Sequence, residues 1–215
     1  SHLYNRYYKE TWSPQTVVKP VGSIEMTYSR HQRLGQDRGK DIVYFSAPYY
    51  GHRIISEVFE IARMLPDRRV LIKVKATRRA EGREADLLEA LADSPENVSE
   101  SREDSYDLLL RTKFVLAATS TIAAESIQFG AIPLVFDPID RDKPFYYRDF
   151  PDLCVSSAKH AVAKIQAYEN GEAEFRRDSF EDLIDVSGQF GLNRIRQDLG
   201  LPPKRPNKSI GPAPV

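Results

Sequence analysis

The 215-residue chain has one cysteine, Cys154, which excludes an internal disulfide framework and a multi-cysteine metal centre. A lone thiol suits a reducing compartment and reads as a small buried hydrophobe. Charge of one sign is also lacking. Lys plus Arg and Asp plus Glu are 31 each, so no global field draws the chain onto nucleic acid or an anionic membrane. No apolar run approaches the roughly 20 residues of a membrane span. No signal peptide or internal repeat is visible, and the chain reads as soluble and cytoplasmic. His-Glu-x-x-His and paired cysteines are missing, and the one Asp-x-Asp, Asp140-Arg141-Asp142, carries an arginine between its carboxylates, so neither metal nor cofactor is expected. What is there is a globular chain with 41% hydrophobic residues, enough to bury one large core.

Short apolar runs alternate with amphipathic stretches. Strands are predicted over Asp41–Ser46, Arg69–Val74, Asn97–Glu100, Phe114–Ala118 and Ile132–Phe136, with a sixth at Cys154–Ser156. Between them, Ile54, Ile55, Val58, Phe59, Ile61, Ala62 and Leu65 recur at helical spacing from His52 until Pro66 stops the helix. Further helices are expected over Glu81–Ala92, Tyr106–Arg111 and Lys159–Asn170, and mostly helical structure over Phe180–Leu199. Parallel neighbours need helical crossovers, so this order specifies an α/β, Rossmann-like three-layer sandwich with a mainly parallel sheet and C-terminal helices. Ligands of such sheets bind at the carboxyl ends of the strands, where Ser46–His52, Lys75–Arg79 and Thr119–Thr121 should converge.

The segment from Phe114 to Phe136 carries the chemistry. Phe114–Ala118 reads as a strand buried on both faces; Thr119, Ser120 and Thr121 open a helix that Gly130 closes, with Pro133 just beyond. Free backbone amides at such a start, ringed by hydroxyls, suit a phosphate. Glu125 falls four residues after Thr121 on the same stripe. With Ser120 as N-cap, a capping-box glutamate would sit at position 123, so capping does not explain Glu125; it either accepts paired hydroxyls, as on a ribose, or faces solvent.

Thr119-Ser120-Thr121, Glu125, Gly130 and Pro133 resemble the signature in the C-terminal, donor-binding domain of GT-B glycosyltransferases of the bacterial surface- and capsule-polysaccharide type, with one extra residue between Gly130 and Pro133. The related nucleotide-sugar 2-epimerases are similar. The resemblance implies that Ser120 and Thr121 hold the donor phosphate and Glu125 its ribose, without a metal. It implies a nucleotide-sugar donor, a glycan or lipid-linked glycan acceptor bound by a separate N-terminal domain, and peripheral work at the inner face of the plasma membrane. No nucleic acid partner is implied. Residues 1–39, including Val17–Gly22, then read as the linker and crossover from that domain, 40–201 as the nucleotide-sugar-binding domain, and 202–215, with five prolines, as a disordered tail.

Further candidates are Tyr50, Gly51 and His52, at the first loop and the helix start after it, and Lys73 and Lys75, which alternate on one strand ahead of Arg78 and Arg79. The lysines either neutralise a diphosphate or decorate an exposed sheet edge. Capsule enzymes of the resembling kind often read K-x-H-P here; this chain reads Lys73-Val74-Lys75-Ala76. That departure keeps open a non-catalytic interaction module retaining the fold. An epimerase half would need more acidic residues and histidine at the sugar pocket. The base that takes the acceptor's proton is not identifiable, and the long loop Asp137–Pro151 is the remaining place where function is suspected.

Overall fold

Six parallel strands form one sheet in the computed structural model, which describes residues 23, 25–26, 30, 32–34, 36–46, 51–74, 85–137, 146–181, 183–184 and 191–202. The strands are β1 (Gly39–Phe45), β2 (Val70–Lys73), β3 (Val98–Ser101), β4 (Thr112–Ala117), β5 (Ile132–Phe136) and β6 (Cys154–Val155). Their spatial order is β3-β2-β1-β4-β5-β6, with every neighbouring pair parallel. The chain therefore winds outward from β1 in one direction and returns to start again at β4. That reversal opens a crevice between the carboxyl ends of β1 and β4. The fold is α/β and Rossmann-like, as the alternation of elements predicts.

The helices are α1 (Gly51–Met64), α2 (Ala85–Ala92), α3 (Ser105–Arg111), α4 (Thr121–Gln128), α5 (Ala158–Glu169) and α6 (Gly191–Asp198). The two-residue period of the strands divides the core. Ile42, Tyr44, Ile72, Phe114 and Leu116 face the layer of Ile54, Val58, Ala161 and Ile165 from α1 and α5. Val43, Leu71 and Val115 meet Leu108 and Leu109 of α3, while Ala117 and Val135 meet Ala123 and Ile127 of α4. Both faces are dry over Ile42–Phe45 of β1, Phe114–Ala117 of β4 and Ile132–Phe136 of β5, which is why those stretches are unbroken apolar runs.

Two differences from the sequence expectation have physical causes. Strand β4 begins at Thr112 rather than Phe114, because the buried Thr112 hydroxyl donates to the Asp41 carbonyl at 2.7 Å and so satisfies a polar side chain inside the sheet. Part of the stretch expected to be a plain loop carries two short 3-10 turns, Tyr146–Asp149 and Pro151–Leu153, anchored by the fully buried Tyr147 and Leu153. Residues 138–145, with Asp140, Arg141 and Asp142, lie outside the described residues, as do 16–21, 81–84, 185–190 and the tail beyond 202. Of the upstream stretch, Met26 is buried against Val43 and Leu108, and the Ser23 amide donates to Gln128 Oε1 at 3.0 Å.

Asn97 closes the end of α1. Its Nδ2 donates to the carbonyls of Ala62 (2.9 Å), Leu65 (3.2 Å) and Arg68 (2.8 Å), and so joins the last turn of α1 to the connection that leads into β2. Asn97→Ala is expected to cost about 1–2 kcal/mol, seen as a fall of about 2–8 °C in the thermal midpoint. An unchanged midpoint would mean that water replaces the amide without loss.

Candidate functional site

The crevice between β1 and β4 holds a cavity of about 220 Å³. Phe45, Ser46 and Lys73, from the ends of β1 and β2, form its floor; Ser105 and Tyr106 of α3 form one wall; Ser120, Thr121, Ile122 and Glu125 form the other. Five of the residues singled out in the sequence thus converge: Ser46, Lys73, Ser120, Thr121 and Glu125. Thr119 sits in the turn just beyond β4. Gly51 and His52 open α1, with nothing described of the His52 side chain, and Tyr50 and Lys75 lie outside the described residues.

Ser120 is the N-cap of α4, in extended backbone, its Oγ accepting from the Ile122 amide at 3.4 Å. At the other end Gly130, at φ +80°, takes the left-handed turn that releases the chain into β5. The expectation of several free amides at this helix start is corrected by the structure. The Ala123 amide donates to the Ser120 carbonyl at 3.2 Å, and the Ala124 amide donates to the Tyr147 hydroxyl at 3.2 Å, which in turn donates to the Ser120 carbonyl at 2.5 Å. Only the Thr121 amide lacks an acceptor among the described residues.

Glu125 sits one turn into α4, half-buried, with its carboxylate on the cavity. The Tyr106 hydroxyl hydrogen-bonds to it. The Glu125 Oε2 atom is buried with no hydrogen-bond partner among the described residues, and so are Ser46 Oγ and Thr119 Oγ1. Burial pushes the Glu125 carboxyl above its ordinary range and the nearby Glu25 charge adds to this, while the Tyr106 bond works against it. The same contact raises the Tyr106 hydroxyl, first through burial and then through the Glu125 charge, so Tyr106 stays a donor. Its ring is fixed by Phe129, at 5.2 Å between centroids, and by the Arg30 guanidinium, 5.1 Å from the centroid.

Lys73 is not on a sheet edge, because β2 lies between β1 and β3. Its Nζ donates to the Glu103 carbonyl at 2.5 Å, which ties the β3–α3 connection over the cavity floor. Sequence reasoning missed Tyr106, Ser105 and Tyr147. Tyr106 carried a usable signal, since it lies in the first turn of the helix that follows the carboxyl end of β3. Tyr147 carried none, lying 27 residues from its partner Ser120 within an apparently irregular stretch.

The raised Glu125 carboxyl fixes a sign. A carboxyl whose folded pKa exceeds its unfolded one favours folding while protonated; that contribution is present below the unfolded value, about 4.3, and is lost as pH rises through the higher folded value. Glu125→Gln is accordingly expected to raise the thermal midpoint at pH 7 by about 2 °C and to leave it unchanged near pH 3. Equal shifts at both pH values would assign the effect to packing rather than charge.

Set against known proteins, the sequence matches no family profile and no curated relative. Its fold is similar to those of three solved bacterial proteins. One, from Listeria monocytogenes and assigned as a UDP-N-acetylglucosamine 2-epimerase, is 12% identical at a TM-score of 0.47, with 89% of this chain and 55% of that chain covered. The catalytic domain of cholesterol-α-glucosyltransferase from Helicobacter pylori is 14% identical at 0.43, over 70% of this chain and 98% of that one. UDP-GlcNAc 2-epimerase from Neisseria meningitidis, solved bound to UDP-GlcNAc, is 16% identical at 0.44, over 82% and 48%. The chain spans about half the length of the two epimerase chains. At these identities the likeness is one of fold.

Proposed function

We propose that the crevice binds a nucleotide-activated sugar as the donor of a glycosyl transfer, in the manner of the C-terminal half of a GT-B enzyme of surface-polysaccharide assembly. The observation that carries this reading is the half-buried Glu125 carboxylate, which lines the cavity with Tyr106 as a neighbouring donor and whose Oε2 has no partner among the described residues; nor has the hydroxyl of Ser46, which lines the same cavity. A buried acceptor oxygen without a donor is costly, and a ribose diol supplies the missing donors. A cavity of about 220 Å³ takes such a sugar and the group next to it rather than a whole nucleotide-sugar.

In this reading Glu125 accepts from the ribose, and the Thr121 amide and hydroxyl with the Ser120 turn meet the adjacent phosphate. Lys73 and the positive end of α4 oppose the charge that develops on the leaving diphosphate. The acceptor glycan, and the base that takes its proton, belong to a partner domain meeting this one at the membrane's inner face. Among the described residues no helix is long and apolar enough to cross a membrane, and no acidic, histidine or cysteine cluster suits a metal ion.

The test is a titration of the 215-residue chain with UDP-GlcNAc and with GDP-, CDP-, CMP- and dTDP-linked sugars. One of them is expected to bind saturably and to raise the thermal midpoint, by about 2.7 kcal/mol of stabilisation at a hundredfold excess over Kd. The same chain is expected to transfer no sugar, because rate requires donor and acceptor oriented in one closed cleft. Transfer by the isolated chain would place the catalytic residues here. No binding at millimolar concentration would favour an interaction module.

A further inference from the structure

Residues upstream of β1 touch both helical walls of the crevice. Met26 is buried against Val43 and Leu108, and the Ser23 amide donates to Gln128 Oε1 at the end of α4. On the α3 side the contact is Arg30. Its Nη1 donates to the carbonyl and to Oε2 of Glu25, each at 2.9 Å, and its Nη2 donates to Asp104 Oδ1 at 2.7 Å. The guanidinium carbon lies 5.1 Å from the centre of the Tyr106 ring, and Arg33 adds a pair to Asp107 at 2.8 Å.

Asp104 is the N-cap of α3, and the oxygen that Arg30 grips also accepts from the backbone amides of Tyr106 (2.9 Å) and Asp107 (3.2 Å). One guanidinium thus holds both the backbone turn that carries Tyr106 and the tyrosine ring itself, against which Phe129 also packs. The Arg30 side chain is 17% exposed, so these contacts are not the loosely solvated pairs of an open surface. A tyrosine hydroxyl goes where its ring goes, and the ring turns about two torsions only. Fixing the ring therefore fixes the direction from which the hydroxyl meets Glu125.

We propose that Arg30 is a positioning residue of the crevice: by holding the Tyr106 ring and the first turn of α3 together, it sets the tyrosine hydroxyl on the Glu125 carboxylate without itself lining the cavity. Its consequence for binding rests on the reading of the crevice as a nucleotide-sugar site; the positioning does not. The charged and titratable groups around Glu125 are Tyr106 of α3, Glu25 from upstream and Lys73 of β2 across the same cavity, with Asp104 beyond Tyr106. The Tyr106 bond lowers the Glu125 pKa and the Glu25 charge raises it. Loosening Tyr106 and releasing Glu25 from its arginine both push the carboxyl upward.

Carboxyl-carbon NMR of the full chain, without ligand, reads the Glu125 titration directly. Arg30→Gln is expected to raise its midpoint by about half a pH unit. Arg30→Lys should raise it at least half as far, because an ammonium keeps the charge but cannot grip Glu25 and Asp104 while lying over the ring. Tyr106→Phe should raise it as well, and Arg30→Gln added to Tyr106→Phe should then contribute less than half of its effect alone. Arg68→Gln, which removes the 2.5 Å pair to Glu169 beside β2 and α5, should leave it unmoved, and circular dichroism confirms that each variant is folded. An unmoved midpoint in Arg30→Gln, full rescue by lysine, or full addition on Tyr106→Phe each overturns the proposal. In calorimetry with the nucleotide-sugar that binds the parent, Arg30→Gln is expected to weaken binding about 3- to 10-fold, and unchanged affinity overturns its role in the crevice. A parent that binds no nucleotide-sugar strikes the crevice reading alone, with Arg30 decided by the titration.

Discussion

Replacing Arg38 with alanine is expected to destabilise the fold by about 3 kcal/mol, lowering the thermal midpoint by about 6–12 °C. One guanidinium ties together three carbonyls: that of Leu109 in α3, that of Thr112 at the start of β4, and that of Phe129 where α4 ends. Truncation leaves all three with fewer donors, and bonds to a charged donor are the stronger kind. Packing adds to the effect. A Cβ on Gly130 would lie 2.7 Å from Arg38 Nη2, so the side chain fills the space beside the left-handed turn and its loss leaves a void there. Arg38→Lys should recover only part of the loss, because an ammonium reaches fewer of the three carbonyls than the planar fork does. Denaturant unfolding monitored by circular dichroism gives the number, and a loss below about 0.5 kcal/mol would show that water substitutes for the guanidinium.

Glu125→Ala is expected to weaken nucleotide-sugar binding by about 1–3 kcal/mol, roughly 5- to 150-fold, while stability holds or improves slightly. The two effects separate because the fold itself satisfies the carboxylate poorly: burial raises its pKa and Oε2 has no donor among the described residues. A residue kept for stability would show the reverse, so a large fall in midpoint with unchanged affinity would reject the ligand role. Tyr106→Phe supplies the matching control. It removes the hydroxyl that orients the carboxylate but keeps the ring between Phe129 and Arg30, and its loss of affinity should be smaller than that of Glu125→Ala. Calorimetry on both variants, with the nucleotide that binds the parent, provides the comparison.

The central strands were legible because they are buried on both faces: Ile42–Phe45 and Phe114–Ala117 are unbroken runs of apolar and aromatic residues, and their pairing at the middle of the sheet fits that dryness. The Ser120 cap, the Gly130 turn and the placement of Glu125 on the crevice were legible too, since they depend on spacing within one helix. What stayed hidden depends on contacts between distant parts of the chain. Arg38 reaches Phe129 across 91 residues and Leu109 across 71, and an arginine before a strand gives no sign of this. Tyr106 was read as part of a short helix, and only the fold shows that its hydroxyl meets Glu125. The amides at the start of α4 were overestimated for the same reason, because Tyr147 arrives from a stretch with no periodicity.

That tyrosine gives the crevice wall a fixed frame. Its hydroxyl accepts from the Ala124 amide and donates to the Ser120 carbonyl, so the first turn of α4 is tied to a segment that follows β5. A guest in the crevice would meet a wall already set by folding, and the entropy of ordering that wall would not be lost again on binding.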